Sequence, residues 1–411
     1  MSKVVWIINQ YATTVETGLG GRHFYLSREL AKKGYKVYLI GSSSSHLLRV
    51  NPIVTSRFSA ESIDGFTFVW VEMPKYSGAR SPIRILNWFL FPFRLQKLPS
   101  FVQEKPDVIL CSSPPPFAFL GAQRLARKFG AKLIFEVRDI WPLTLMQLGG
   151  YSPRNPLIRM MQWVEDRAYR EAEVVVSNLK GAVEHMVDRG LRPDKFRWVP
   201  NGFSKGEVDT CASVDAAYFA SIPQDKFIVG YAGTFGLANS LHTLIDAAEI
   251  LKENSDVVFV FVGGGIDQQR LIDSAKAKGL SNIYFLDFVQ KQAIHSVLAK
   301  FDVLTVGAQK SPLYRFGVSP NKLFDYMAAG KPVIYHIDSG KYRPAAEHGF
   351  GLQVEPENPA ALAEAVLSLF NMTEEQRRVL GENGRKAGLE FYEYEALASK
   401  LETAMFDQES A

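Results

Sequence analysis

The stretch Phe316-Gly-Val-Ser-Pro-Asn-Lys-Leu-Phe-Asp-Tyr-Met-Ala-Ala-Gly-Lys-Pro-Val-Ile334 gathers residue types suited to a phosphorylated ligand. Pro320 cannot lie inside a helix but suits its start, so the pattern predicts a helix over 321–329 that follows a Gly/Ser loop. Lys322 then falls in the first turn, where the helix dipole disfavours a cation. A cation held there makes sense when an anion shares the site, which makes Lys322 the candidate for a diphosphate. Asp325 lies one turn after Asn321 on roughly the same face, with acceptor oxygens for ribose hydroxyls. Ser319, Pro320 and Asn321 complete the segment.

Glycine-rich segments offer the other ingredient of a phosphate site, backbone amides. Gly18-Leu-Gly20-Gly21 precedes a helical stretch and nearly matches the dinucleotide fingerprint, but His23 stands where its third Gly should be. The next strand-like run ends Leu39-Ile40-Gly41-Ser42, without an acid for a ribose, which disfavours a nicotinamide enzyme. Gly230-Tyr-Ala-Gly233-Thr234-Phe-Gly236 and Gly263-Gly264-Gly265 each follow a strand-like run and together can cradle a diphosphate. His23 can donate to a phosphate or an acceptor, or be a satisfied residue at a helix start. Asp139, in Arg138-Asp139-Ile-Trp141, is the best acceptor-side carboxylate; the plainer reading is an Arg-Asp pair tying loops together. There is no Asp-x-Asp pair and the seven His show no ligand spacing, so no metal and no cofactor is expected. Glycine amides, a helix dipole and Lys322 can stabilise a departing diphosphate without one.

Alternating elements must position these residues. In the first half, strand-like runs at 3–9, 36–41, 108–111, 132–137, 173–177 and 196–199 alternate with helical stretches at 21–33, 119–129, 157–171 and 181–189. In the second, strands at 227–231, 257–262, 283–285, 302–306 and 332–335 alternate with helices at 241–252, 267–278, 291–300 and 321–329. That rhythm predicts an α/β protein with parallel sheets covered by helices, and ligands outside the carboxyl ends of the strands. A chain of 411 residues suits two or three domains. The expected division is a domain over 1–205 and another over 206–390, facing a cleft, with a polar linker near 202–222. Pattern alone leaves the last helical stretch, 396–406, unassigned.

Composition narrows the class. With 47% hydrophobic and 22% charged residues the chain is neither disordered nor collagen-like. Two cysteines are too few for a disulfide framework and point to a reducing compartment. No apolar run reaches the roughly 18–20 residues of a spanning helix, and the first apolar run reads as a strand, not a signal peptide. These features predict a soluble intracellular protein. Residues 1–205 hold 29 Lys and Arg against 16 Asp and Glu, a net of +13, whereas residues 206–411 hold 18 against 27, a net of −9. The first half is therefore the one expected to meet something anionic. Within it, residues 80–105 carry Arg80, Arg84, Arg94, Lys97 and Lys105 against one acid, Glu104, beside Trp88, Phe89, Leu90, Phe91 and Phe93. Pro92 argues against one clean helix there. Basic residues around an aromatic patch predict docking on a membrane surface; the alternative is that the aromatics cover a core.

Taken in order, these segments resemble the retaining glycosyltransferases of family 4, which have the GT-B fold of two Rossmann-like domains. Residues 319–334 look most like the branch that builds bacterial surface polysaccharides such as O-antigen and capsule, where a Ser-Pro-x-Lys…Tyr-Met-Ala-x-Gly-x-Pro-Val run is typical. Gly20-Gly21, Phe135-Glu-Val-Arg-Asp139-Ile-Trp-Pro142, Val199-Pro-Asn201-Gly202, residues 230–236 and 262–265, and Phe288-Val289 agree with it. The resemblance implies a donor site built from Gly20, Gly21, Asn201, Gly233, Thr234, Gly264, Phe288, Val289, Ser319, Pro320, Asn321, Lys322 and Asp325, with Asp139, Lys322 and His23 at the chemistry. It implies that residues 391–411 return to the N-terminal domain. It further implies transfer with retention from a nucleotide diphosphate sugar, UDP-linked by family precedent, to a polyprenyl-diphosphate-linked or glycan acceptor. Such a protein would be cytoplasmic, peripheral to the inner membrane and its inner-leaflet surface, with no nucleic-acid partner.

Three departures from the family pattern stand out. Of the two Glu usually seven residues apart, the helical one is matched by Asp325 and the other has no counterpart in 314–321. The Arg and Lys that commonly follow the Gly233-type loop are absent from 234–239, which puts Lys322 forward as the diphosphate cation. The usual His-Asp pair reads Arg138-Asp139. The rival readings are a sugar-nucleotide epimerase of the same architecture and a nucleotide-sugar-binding protein without turnover.

Overall fold

Short runs rich in Val, Ile and Phe form the strands, and helices on both faces bury them, so they read as nearly continuous apolar segments. The computed structural model describes residues 2–407 apart from 19, 79, 80 and 224, and divides into two units, Met1–Pro200 with Tyr394–Ala411, and Asn201–Glu393. Arg80 of the basic aromatic segment and Leu19 of the first glycine loop thus lie outside the described residues.

The first unit holds β1 Val4–Ile8, β2 Lys36–Ser42, β3 Phe58–Ile63, β4 Phe66–Val71, β5 Val108–Ser112, β6 Lys132–Val137, β7 Val174–Ser177 and β8 Phe196–Trp198. Their order is β3-β4-β2-β1-β5-β6-β7-β8, parallel throughout except for the β3–β4 hairpin. That hairpin turns through Asp64-Gly65, both at positive φ, a pair whose twist matches two antiparallel strands. The strand order reverses between β1 and β5, the position where such sheets collect ligands. Helix Tyr394–Phe406 belongs to this unit and packs on helix Arg22–Lys32: Tyr25 stacks on Tyr394 at 4.8 Å, and Glu402 meets Lys33 at 2.8 Å and the Tyr35 hydroxyl at 2.6 Å.

The second unit holds β9 Phe227–Thr234, β10 Val257–Gly264, β11 Ile283–Leu286, β12 Val303–Gly307, β13 Val333–His336 and β14 Gly351–Gln353, all parallel in the order β11-β10-β9-β12-β13-β14. Its order reverses between β9 and β12. The two units are therefore Rossmann-like α/β domains with parallel sheets. Residues 202–222, expected as a linker, carry helix Lys205–Asp209 and the 3-10 turn Ala216–Phe219 and belong to the second unit. Their polar composition reflects surface position.

Residues 82–95 correct one expectation. Pro82–Leu95 is a single helix running through Pro92. At Pro92 this helix packs on helix Ala118–Phe129, where Gly121 lets the two backbones meet: a Cβ there would lie 2.8 Å from the Pro92 carbonyl. Where the two helices meet, Gln96 Nε2 donates to Pro92 O at 3.2 Å and to Gly121 O at 3.0 Å. Among the described residues no helix is long and apolar enough to cross a membrane.

Candidate functional site

In the second unit, the ends of β9 and β10 touch. Gly233 and Gly263 are paired, and a Cβ on Gly263 would lie 2.1 Å from the Gly233 carbonyl, so the close approach requires glycine. Phe235 N donates to Gly264 O at 2.8 Å, which locks the loop that starts at Thr234 onto the next strand end. Beside it stands helix Asn321–Ala329, N-capped by Pro320 in an extended conformation. Lys322 reaches from its first turn to this loop. Its Nζ donates to the Tyr231 hydroxyl at 2.7 Å and to Asn239 Oδ1 at 2.7 Å, and lies 4.3 Å from the Tyr231 ring centroid. Tyr231 in turn donates to Thr234 O at 2.8 Å, and Asn239 Nδ2 donates to the same carbonyl at 3.0 Å. The carbonyl thus orients both groups that hold the ammonium. No carboxylate pairs with Lys322 among the described residues, and burial pulls its pKa down to about 7.

Other expected donor residues fall around this centre. Asn201 N–H donates to Ser319 Oγ at 2.9 Å and its Nδ2 to Ser319 O at 2.8 Å, fixing the loop before the helix; its Oδ1 is buried without a partner. Asp325, on the same helix as Lys322, is 3.7 Å from His295 Nε2. Burial raises its carboxyl to about 6. Phe288 and Val289 lie in the loop after β11, with Phe288 well exposed. His336, at the end of β13, lies over Gly307 of β12, is 1% exposed, and has neither ring nitrogen bonded. Burial, and then the charge of Lys322, lower its pKa to about 4, so it is neutral.

The first unit answers differently. Gly20 and Gly21 have φ of +65° and +84°, and Gly21 N-caps helix Arg22–Lys32. That helix carries Arg22 and His23 into the interior, where both meet Glu136 of β6. Arg22 Nε donates to Glu136 Oε1 at 2.8 Å, and Ser112 Oγ donates to Oε2 at 2.6 Å. His23 Nε2 lies 2.5 Å from Oε2. The tautomer follows from Asn9: its Oδ1 accepts from Tyr11 N, so its Nδ2 faces His23 and donates to Nδ1 at 2.8 Å. His23 Nε2 therefore carries the proton and donates to Glu136. Burial lowers the His23 pKa. Burial alone would raise the Glu136 carboxyl, but His23, Arg22 and Arg138 hold it well below the usual carboxylate range.

This corrects the expectation for His23. With both ring nitrogens engaged and 3% exposure, it is a positioned core group with no nitrogen left for a phosphate or an acceptor. Asp139, beyond the end of β6, accepts from Thr144 Oγ1 at 2.6 Å and Trp141 Nε1 at 3.1 Å, and burial raises its pKa. No hydrogen bond or ion pair joins it to His23. Sequence reading missed Glu136, Tyr231 and Asn239. Glu136 did leave a signal, a lone acid in the apolar run Leu133-Ile-Phe-Glu-Val137; Tyr231 and Asn239 left none, since their role depends on where Lys322 reaches.

Glu136→Gln is expected to destabilise the protein by about 3–5 kcal/mol, because Arg22 stays buried without its countercharge. The folded pKa of Glu136 lies below its unfolded value, so its contribution is present above about pH 4 and lost as pH falls through the folded value. Urea unfolding of both proteins at pH 7 and pH 4 checks this; an unchanged midpoint at pH 7 would refute it.

Comparison with known proteins fits this architecture. Residues 17–202 match the family described as Glycosyl transferase 4-like domain, and residues 218–387 match Glycosyl transferases group 1. The chain is 22% identical over 367 residues to the putative colanic acid biosynthesis glycosyl transferase WcaI of Escherichia coli K12, covering 85% of this chain and 88% of that one. It is 24% identical to the O-antigen chain mannosyltransferase C of Escherichia coli, covering 72% and 74%. Among solved structures, Anabaena Alr3699/HepE in complex with UDP and glucose superposes with a TM-score of 0.64 at 14% identity, over 97% of this chain and 98% of that one. With one glycosyltransferase domain family matched in each unit, and homologues in polysaccharide biosynthesis, the chain belongs to the GT-B glycosyltransferases.

Proposed function

We propose that this glycosyltransferase moves a sugar, with retention, from a UDP-linked donor held by the second unit to a lipid-linked or glycan acceptor held by the first, in surface polysaccharide synthesis. The observation that carries the donor half is Lys322: a half-buried side-chain amine with no carboxylate partner among the described residues, held by two neutral oxygens beside glycine-rich strand ends. A diphosphate supplies the missing charge. Lys322 and the dipole of helix Asn321–Ala329, with the glycine-rich ends of β9 and β10 that let a diphosphate come close to the backbone, would stabilise that diphosphate as it leaves, without a metal. Asp325, poised to accept from ribose hydroxyls, would fix the nucleoside. The UDP reading draws on the UDP bound by Anabaena Alr3699/HepE.

Retention is compatible with front-face attack, in which the departing phosphate takes the acceptor proton and no protein base is required. Asp139, fixed by Thr144 and Trp141, would orient the acceptor hydroxyl. The proposed placement at the inner face of the membrane rests on the +13 charge of residues 1–205 and on helix Pro82–Leu95. On that helix Ile83, Ile85, Leu86 and Phe93 are exposed, whereas Trp88 and Phe91 turn inward.

Lys322→Ala is expected to weaken UDP and UDP-sugar binding about ten- to a hundredfold, the worth of a charge-assisted hydrogen bond, with the fold intact. Asp325→Asn should weaken UDP itself. Isothermal titration measures both, and wild-type affinities in the two variants would overturn the donor site. Turnover separates the readings: product formed only with acceptor is transfer, whereas a new nucleotide sugar would mean epimerisation and binding alone would mean a regulator. Docking predicts co-sedimentation with phosphatidylglycerol vesicles that weakens with salt and falls in Ile85→Ser/Leu86→Ser; protein left in the supernatant at low salt would refute it.

A further inference from the structure

The Glu136 network leaves one cation of the first unit over. Arg138 is the first residue past β6, at the carboxyl edge of the sheet and close to the reversal of strand order. It is part-exposed, so a ligand can reach it, yet its Nε is buried without a partner. Its guanidinium makes no hydrogen bond or ion pair among the described residues. The neighbouring acids are taken. Glu136 has Arg22 on Oε1, and His23 with Ser112 on Oε2. Asp139 turns its two oxygens to Thr144 and Trp141, although it acts on Arg138 electrostatically. Arg22 donates from Nε to Glu136 and from Nη1 to the Pro200 carbonyl, and its Nη2 is buried with no acceptor. Arg22 and Arg138 thus bring two positive charges against the one negative charge of Glu136. Burial is the strongest influence on the Arg138 guanidinium and lowers its pKa, as expected of a cation short of countercharge.

An unmatched acceptor lies beside this unmatched donor. Val137 pairs with Ser177 in register, so Arg138 and Asn178 stand side by side, one residue past the ends of β6 and β7. Asn178 is 6% exposed and its Oδ1 has no hydrogen bond. Buried polar atoms nearly always find partners, and one left alone costs free energy. Donor and acceptor are complementary here but unbonded. A ligand that offers an anionic oxygen to one and a hydroxyl to the other satisfies both.

We infer that this edge of the first unit binds an acceptor sugar that carries a carboxylate, a uronate, with the carboxylate on Arg138 and a sugar hydroxyl donating to Asn178 Oδ1. The inference rests on the acceptor site proposed above for the first unit and names its substrate class. Asp139, the next residue in the chain, is then beside the bound sugar. A planar carboxylate matches the two-pronged N–H pattern of a guanidinium. The surplus over Glu136 is a single positive charge, which one carboxylate neutralises. A phosphate monoester, at about −1.5 to −2, would leave negative charge beside Asp139.

The test compares methyl glucuronide and methyl galacturonide with the matching neutral methyl glycosides and with glucose 6-phosphate, titrated by saturation-transfer NMR in the presence of UDP. At least one uronide should bind about ten- to a hundredfold tighter than its neutral counterpart, the worth of a charge-assisted hydrogen bond, and tighter than glucose 6-phosphate. Arg138→Gln should abolish that preference. Arg138→Lys, which keeps a charge beside Glu136 but loses the fork, should retain part of it. Asn178→Ala removes an oxygen that has no partner in the protein, so it should preserve the melting temperature and weaken a uronide and its neutral counterpart alike. No preference in the wild type, a preference that survives Arg138→Gln, unchanged uronide binding in Asn178→Ala, or tighter binding of glucose 6-phosphate would overturn the assignment. So would a carboxylate preference confined to the donor, seen as UDP-glucuronate binding tighter than UDP-glucose in the wild type and not in Arg138→Gln. UDP affinity is measured in the same samples. UDP bound without a uronide preference removes the uronate and leaves the glycosyltransferase reading standing, whereas UDP unbound by the wild type removes the donor site as well.

Discussion

Drawing an ammonium out of water costs free energy unless an opposite charge meets it, and half-buried Lys322 meets none among the described residues. The second unit accepts that cost and organises itself around it. Tyr231 and Asn239 hold the ammonium, and both are oriented by one carbonyl, that of Thr234. That carbonyl is placed by a loop pinned to the next strand end, where only glycine allows the backbones to touch. His336, neutral and without a bonded nitrogen nearby, adds a second basic residue and no compensating charge. An arrangement that leaves a cation unneutralised is stable only as far as the rest of the unit supports it, and the proposed diphosphate would complete it.

The first unit treats buried charge in the opposite way. Glu136 is fully buried, yet each of its oxygens is satisfied: Arg22 on one, His23 and Ser112 on the other. The network ties the start of helix Arg22–Lys32 to β5 and β6 at the place where the strand order reverses. It therefore fixes the loop carrying Gly20 and Gly21, and next to Glu136 the turn through Arg138 to Asp139. The Glu136 network meets its carboxylate with countercharge, whereas Lys322 has no carboxylate among the described residues, which is the charge the proposed diphosphate would supply.

Much of this was legible in the sequence because parallel strands buried on both faces are unbroken apolar runs. The strands at 132–137 and the helix at 321–329 coincide with β6 and Asn321–Ala329. The β3–β4 hairpin was missed although Asp64-Gly65 marks its turn, since its first strand, Phe58-Ser-Ala-Glu-Ser-Ile63, is mostly polar edge. Pro92 misled because a proline raises the cost of a helix without always ending it, and the packing of this one against Gly121 of a different helix leaves no local pattern. At the site, Lys322 was singled out because a cation is wrong for its helix position, and its part in donor binding is the proposal made above. The role of His23 was misread because its partners, Asn9 and Glu136, are 14 and 113 residues away. Residue type identifies a group able to do chemistry; only the surroundings decide whether it is still available.

The proposed donor site makes one direct demand: Lys322, whose pKa of about 7 leaves it close to losing its proton in the free protein, becomes fully charged when a diphosphate binds. With its pKa at about 7 in the free protein, most of the side chain is unprotonated at pH 8. A bound diphosphate raises that pKa, so binding must draw in a proton, and affinity must weaken as pH rises above 7. Titrating UDP calorimetrically at pH 8 in buffers of different ionisation enthalpy measures the proton count directly. The account predicts uptake approaching one proton per UDP, about 0.9 when the bound pKa lies well above 8, and its disappearance in Lys322→Met. A binding enthalpy independent of buffer, or the same uptake in that variant, would contradict it.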